Sequence, residues 1–416
     1  MGKASLLMVV GYGVLFLISG VGMSDMSVQA YDNALDYFES SQLHNIAIGG
    51  ANMTANYLFR YPPGLNGNPW WAGYTSPISF GGGTFVSVVD STTSVDPFSG
   101  ERRLTVRTTA TFRDSTYQII AVLGQSKFSK FAVWAGPPAS GGAYWETGDS
   151  VFGPVHSEGL LKTIGYPYFG GKVTTRSGVQ NHSGYPILTA GLETGVSVPA
   201  NRSFQKLAYA AAVNGKNFTG SGNLWLKFQG DTLKYRRVSG HPDTAVYLPS
   251  FAPNGAITMG QNTGNIYIEG TIKGRYTIGS LDSSSGTRGR IIVTGDIRYN
   301  SNPEINPAST DMLGLVAYNE IILADNSAPS FTIHASMFSY TKGVAVQNYN
   351  TRPQGIFTTL GGWVVDEIFA TSNGIPLGHP SSRGYKCHIG YDERFRFSAP
   401  PFFPGTNAYE ILAWYE

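Results

Sequence analysis

At 416 residues the chain is too long for one small core and is expected to form two or three domains. Its 52 glycines, 23 prolines and only 13% charged residues exclude a typical helix-rich soluble protein, which draws more heavily on Glu, Lys, Ala and Leu. A formal net charge of +2 without any Lys/Arg block argues against nucleic-acid binding, which needs a concentrated positive field to displace counterions. Aromatic residues make up 13% of the chain, and aromatic and β-branched residues between Gly-rich turns read as many short strands. The expected fold class is therefore α+β, mainly β.

The first element runs from Ala4 to Met23, ASLLMVVGYGVLFLISGVGM. It is uncharged and long enough to cross a bilayer of about 30 Å as a helix. Lys3 before it and Asp25 after it favour the N-terminus on the cytoplasmic side. A cleaved signal peptide is the competing reading, with Val28-Gln29-Ala30 as a small-x-small site. Against it, the apolar run exceeds a usual h-region and helical spacing continues beyond it. Val28, Tyr31, Leu35 and Phe38 recur at three and four residues, and after a phase shift so do Leu43, Ile46, Gly50, Met53 and Tyr57. Pro62 and Pro63 then stop any helix. One helix from about Ala4 to about Phe59 is expected, apolar all round at first and amphipathic later.

A Gly near the start, an uncharged helix and an extension ending SSQLHNIAIGGANMTANYLF resemble type IV pilin-like proteins, in particular PilX-type minor pilins. The resemblance implies peptidase cleavage after Gly2, leaving Lys3 first, and bundling of the helix with those of other subunits. The sequence departs from that pattern in its two-residue leader and in Leu7, which stands where an acidic residue is common.

Past Gly64 to Gly83, read as an ordered loop, come GTFVSVVD, RRLTVRTTATF and YQIIAVLG. In the second, Leu104, Val106, Thr108 and Ala110 alternate with Arg103, Thr105 and Arg107, which predicts a strand. The turn-rich DSTTSVDPFSGE and RDS would join the three into an antiparallel meander, where the resemblance places a pilin sheet.

Farther on, a short apolar alternation crosses a small residue. It occurs in IYIEGTI (Ile266 to Ile272), IIVTGDI (Ile291 to Ile297), FTIHASM (Phe331 to Met337) and FTTLGGW (Phe357 to Trp363), and loosely in VHSEGLL (Val155 to Leu161). Such repetition suggests stacked rungs of a β-solenoid. A β-sandwich with coincidental glycines is the alternative. Phrases such as GDSVFGPVHSEGLL, GRIIVTGDIRY and the C-terminal YDERFRFSAPPFFPGTNAYEILAWYE also resemble a β domain of bacterial pilus-like and surface proteins for which no reaction is assigned. The expected division is residues 1–62 for the transmembrane and amphipathic helix, 63–140 for the pilin-like meander, and 141–416 for a β-solenoid-like body with an irregular C-terminal tail.

No chemistry stands out. The seven histidines form no HExxH or Cys-His metal set, and Cys387, the one cysteine, reads as a buried or inert thiol. On a strand His156 and Glu158 would share a face; the pair reads as an acid/base or metal couple, or as a hydrogen-bonded turn. Asp282, Asp296, Glu304, Asp311 and Glu320 are scattered, and the DSSSG from Asp282 reads as a flexible hairpin tip, not a calcium loop. No phosphate loop, G-x-S-x-G elbow or cofactor motif is present. Trp70, Trp71, Tyr74, Tyr144 and Trp145 lie in loop-like sequence and could contact a glycan or partner, or plug a junction between domains. The resulting expectation is a non-enzymatic surface or pilus-associated protein, held in a bacterial inner membrane or an extracellular pilus by its N-terminal helix. Its partners would be the membrane and other pilin-like subunits or assembly proteins, with no nucleic acid and no cofactor. The alternative is a glycan-binding adhesin or glycan-active β-solenoid.

Overall fold

The structure, a computed structural model, describes residues 2–61, 70–95, 102–137, 143–198, 202–326, 328–373 and 383–416. Their side chains are described except at 2–4, 91–95, 102 and 407. A long N-terminal apolar helix is followed by mostly β structure. The chain divides into two compact units. One is Met1–Ser94 with Arg102–Gly124 and Tyr409–Glu416; the other is Val95–Glu101 with Gln125–Ala408.

In the first unit, α1 (Gly2–Arg60) is one unbroken helix, roughly 90 Å long at 1.5 Å per residue. No proline interrupts it before Pro62. Leu43, Ile46, Ala47, Ala51, Thr54 and Leu58 are buried, at helical spacing along one face. The stripe differs from the expected one after Gly50. Met53 is exposed, while Ala51, Thr54 and Leu58 turn inward, because a 3.6-residue period drifts from a strict three-four alternation. The stripe packs on a five-stranded sheet ordered β1 (Ile78–Phe80), β2 (Gly83–Val95), β3 (Arg102–Phe112), β4 (Ser115–Lys127) and the last strand, Gly405–Tyr415. Leu104, Val106, Thr108 and Ala110 all face the core, as their alternation predicts. Two expectations fail here. Asp90 to Val95 extends β2 instead of turning, its Thr- and Val-containing run suiting a strand. The C-terminal end is not an irregular tail but a strand edging this sheet, since a Thr- and aromatic-containing run follows the Pro-rich 400–404.

Helix and sheet approach closely at Gly50, where an added Cβ would stand 2.6 Å from the ring of Phe85. Phe85 is fully buried and has no room to retreat. Gly50→Ala should therefore lower stability by about 1–2 kcal/mol, overpacking outweighing the ~1 kcal/mol gain in helix propensity. Denaturant unfolding of the detergent-solubilised chain checks this; an unchanged or raised midpoint would contradict the packing.

The second unit is built on parallel ladders of short strands. In one, Lys216–Phe218, Ala256–Met259, Arg275–Ser280, Met312–Ala317 and the latter parts of Ser330–Ser339 and Gly355–Val365 pair in succession. The ladder continues through Val133–Ala135, Val155–Ser157, Val173–Thr175 and Leu192–Thr194. Ile257, Ile278, Leu315, Met337, Trp363, Val133, Val155 and Val173 thus stack in register, all buried. A second ladder aligns Leu224, Ile266, Ile291, Ile321 and Val344. A third aligns Ile297, Ile333, Thr359, Ile389, Val151, Phe169 and Leu188. Identical spacing of parallel strands lets each residue rest on its like, which is how such stacks bury a continuous core.

The chain enters this stack in the middle. Residues 133–194 climb away in one direction, whereas 216–365 begin at the far end and return, so that Gly355–Val365 closes against Val133–Ala135. The flank between the ends carries described residues from both sides of 199–201. Val198 donates to Glu158, and Arg202 pairs with Asp366 at 2.8 Å. Phe204 packs against Tyr318 and Tyr340. α2 (Gln205–Asn214) buries Leu207, Ala210 and Ala211 in a cluster with Ala256, Leu281 and Val316.

The expected rung alignment holds in part. Ile266 meets Ile291, and Phe331 meets Phe357, but Ile291 pairs onward with Ile321, not Phe331. A register shift between Ile268 and Gly270 inserts residues before Ile297. Val155 stands in the Val133–Trp363 column instead of the Phe357 one. The expected boundary at residue 140 lies inside this unit, because Val133–Ala135 is bonded into its ladder. Nor does Asp282 begin a loose tip: it is buried, and its carboxylate accepts the N–H groups of Thr263 and Ser284.

His334 gives this unit a pH signature. Its Nδ1 accepts the Tyr299 N–H at 3.2 Å. Burial, aided by Arg298 and opposed by Asp296 and Asp392, pushes its pKa down to about 4. The neutral ring is therefore favoured by folding, so its stabilisation is complete above the ordinary pKa of 6.5 and is lost as pH falls toward 4. The stability advantage of wild type over His334→Gln should shrink by up to about 3 kcal/mol across that window, at about 1.4 kcal/mol per pKa unit. Equal slopes in denaturant midpoints against pH would contradict it.

Candidate functional site

Two features remain after the packing is accounted for. The first is the N-terminal part of α1. From Ser5 to Ala34 every side chain is exposed, including Leu7, Phe16 and Leu17 at 70% or more. By length and composition this helix can cross a membrane. The glycines at 11, 13, 20 and 22 have nothing within 4 Å of an added Cβ. The segment's ten Leu, Ile, Val and Phe residues between Ala4 and Met23 favour bilayer insertion by about 3–6 kcal/mol in total. Gly2 opens the helix, while the side chain of Lys3 lies outside the described residues.

The expected aromatic contact residues fall in both units. Asn68 and Pro69 lie outside the described residues, and Trp70 is 48% exposed. Trp71 packs 4.0 Å, ring centre to ring centre, from Tyr57 of α1 and edge-on to Tyr74, which in turn abuts Phe85. Trp71 and Tyr74 thus belong to the helix–sheet packing of the first unit. Tyr144 and Trp145 belong to the second unit, where they meet the other feature, a cavity of about 550 Å³.

Trp145 is a wall of this cavity, buried against Phe169 and Trp363, so it offers no surface platform. Tyr144 stands at the rim, its ring facing Lys162 and His182. Glu146, Asp149, Tyr349, Asn350, Ser372, Asn373 and Cys387 complete much of the lining. The sequence reading missed these. Glu146 and Asp149 lie within the same GGAYWETGD phrase, whereas Cys387 is brought to Asp149 only by pairing of Tyr385–Gly390 with Ser150–Phe152.

Both carboxylates are engaged within the chain. Glu146 Oε1 lies 2.8 Å from Lys386 Nζ and accepts the Ser372 hydroxyl. Asp149 accepts the N–H groups of Cys387 and Glu146, each at 2.9 Å. Burial pushes its pKa up to about 7 against the pull of those donors and Lys386. Cys387 is buried, its thiol 3.3 Å from Thr371 Oγ1 and held well above its usual pKa by burial and by Asp149; that makes it a poor nucleophile.

His156 and Glu158 do come together, at 3.0 Å, with His156 Nδ1 2.9 Å from Thr174 Oγ1. Glu158 also takes the Val198 N–H and the Ser197 hydroxyl. Burial lowers the His156 pKa despite Glu158. Fully buried and bonded on both nitrogens, the imidazole holds Glu158, whose carboxylate fastens the flank segment. Among the described residues no group of three or more His, Cys, Asp or Glu is placed to hold a metal.

No family model and no curated protein matches the sequence. Among solved structures, the competence-associated pilin ComZ from Thermus thermophilus superposes on 91% of this chain and 97% of its own, with 11% identity and a TM-score of 0.34.

Proposed function

We propose that the chain is a non-enzymatic surface protein of minor-pilin type, anchored by α1 and displaying its β units outside the cytoplasm. The observation that carries this reading is the division of α1. Residues 43–58 bury one stripe on the sheet, whereas 5–23 present apolar side chains in every direction with no cover from the described residues. A helix that is apolar all round belongs in lipid or among other apolar helices. Packing would then be the mechanism: the segment sits in the inner membrane, or is bundled with helices of other pilin-like subunits in a filament. In the pilin-type reading a peptidase cuts between Gly2 and Lys3, and the helix remains.

The second unit is read as a β-solenoid of three-sided rungs, supported by the parallel columns of like residues described above. A solenoid suits display, because each rung contacts only its neighbours and the outer faces remain free.

Protease added to intact bacterial cells tests the reading. The β units should be degraded while a fragment containing the apolar helix stays with the membrane. Recovery of the intact chain from the soluble cytoplasm would overturn it.

A further inference from the structure

The cavity beside Tyr144 carries the strongest unassigned chemistry. Its volume, about 550 Å³, lies within the ~300–1,000 Å³ of small-molecule clefts. Its aromatic surfaces are Tyr144, Trp145, Tyr349, Trp363 and Phe369. Its charges are spent internally: Glu146 on Lys386 and Ser372, Asp149 on two backbone N–H groups. Beside the His182 imidazole at the rim, what it offers a visitor is uncharged. Among the described residues, the Tyr144 and Tyr349 hydroxyls and the Asn350 amide line the cavity without a hydrogen bond inside the chain. Aromatic faces beside hydroxyl and amide groups complement a polyol ring, whose C–H face stacks and whose hydroxyl edge bonds.

We propose that this cavity binds a terminal unit of an uncharged saccharide, with Tyr144 and Tyr349 as stacking or hydroxyl contacts and Asn350 as a hydrogen-bonding group. Binding, not hydrolysis, is the activity, because a glycosidase needs one carboxyl free to protonate the leaving group and a second free to attack or activate water. Here every carboxyl oxygen of Asp149 faces a backbone donor, and Glu146 is pinned by Lys386. The proposal stands on the second unit alone and does not depend on how α1 is held.

The test uses the full chain in detergent micelles, titrated calorimetrically with neutral cello-, malto-, chito- and galacto-oligosaccharides. At least one should bind saturably without release of free sugar. Tyr144→Ala, at the rim and 38% exposed, and Asn350→Ala, also exposed, should each weaken it tenfold or more with circular dichroism unchanged. Trp70→Ala, in the other unit, should leave it unaltered. Absence of binding to all four series, binding restricted to charged sugars, or full affinity in a Tyr144→Ala/Asn350→Ala double variant would each overturn the proposal. Micelle association of the same samples, scored by flotation, reports on the anchor separately.

Discussion

Replacing Leu15 and Ile18 together by arginine is expected to move the chain from the membrane to the soluble fraction or to aggregates. Both residues lie in the middle of the apolar run and are exposed, at 60% and 65%, so neither substitution disturbs packing within the chain. The cost of each arginine at the centre of a bilayer helix is about 2.5–3.5 kcal/mol, and loss of the two apolar side chains adds about 1 kcal/mol. The total, about 6–8 kcal/mol, matches or exceeds the roughly 3–6 kcal/mol available from the ten large apolar residues. Two leucine-to-alanine changes in the same segment would leave most of that drive intact. Carbonate extraction of membranes distinguishes the outcomes: double-arginine chains should be released, whereas a chain still fully membrane-embedded would show that the segment is not the anchor.

Trp363→Ala should produce the largest loss of stability in the second unit, about 3–5 kcal/mol. Its side chain is 2% exposed and sits at the closure between the outgoing and returning parts of the stack. It is held by Met337 and Val133 above and below, by Phe357 with ring centres 5.4 Å apart, and by a 3.1 Å bond from Nε1 to Thr359 Oγ1. Truncation leaves a cavity where rungs distant in sequence must meet, and it orphans that hydroxyl. Denaturant unfolding should show the second unit's transition shifted while membrane retention is unaffected. A shift below about 1 kcal/mol would mean that the column is not continuous across this closure.

The elements set by local pattern were legible in the sequence: α1 almost to its last residue, the alternation of β3, and the presence of repeated short strands. What escaped depends on long-range order. α2 carries Leu207, Ala210 and Ala211 at helical spacing, but its ten residues lie between strand-rich segments, and only the flank of the stack gives that face something to cover. The last strand joins a sheet whose other members lie about 280 or more residues earlier, a pairing no local rule reveals. Likewise the cavity draws on residues near 145, 182, 350, 363, 370 and 387. The sequence pointed to Tyr144 and Trp145 as aromatic, but not to the burial that makes one a rim and the other a wall. His156 was visible as a candidate, and Glu158 beside it; their role as a fastening became readable only once Val198 was seen to bond to the same carboxylate.

The central claim is that residues 5–60 act as one retained helix, lipid-facing at its base and docked on the sheet beyond. The most direct measurement is N-terminal sequencing with intact mass of the chain recovered from carbonate-washed membranes. The account predicts a first residue at or before Ser5, with Lys3 leading if pilin-type processing operates. A chain that begins at Tyr31 and is found in the aqueous fraction would contradict it.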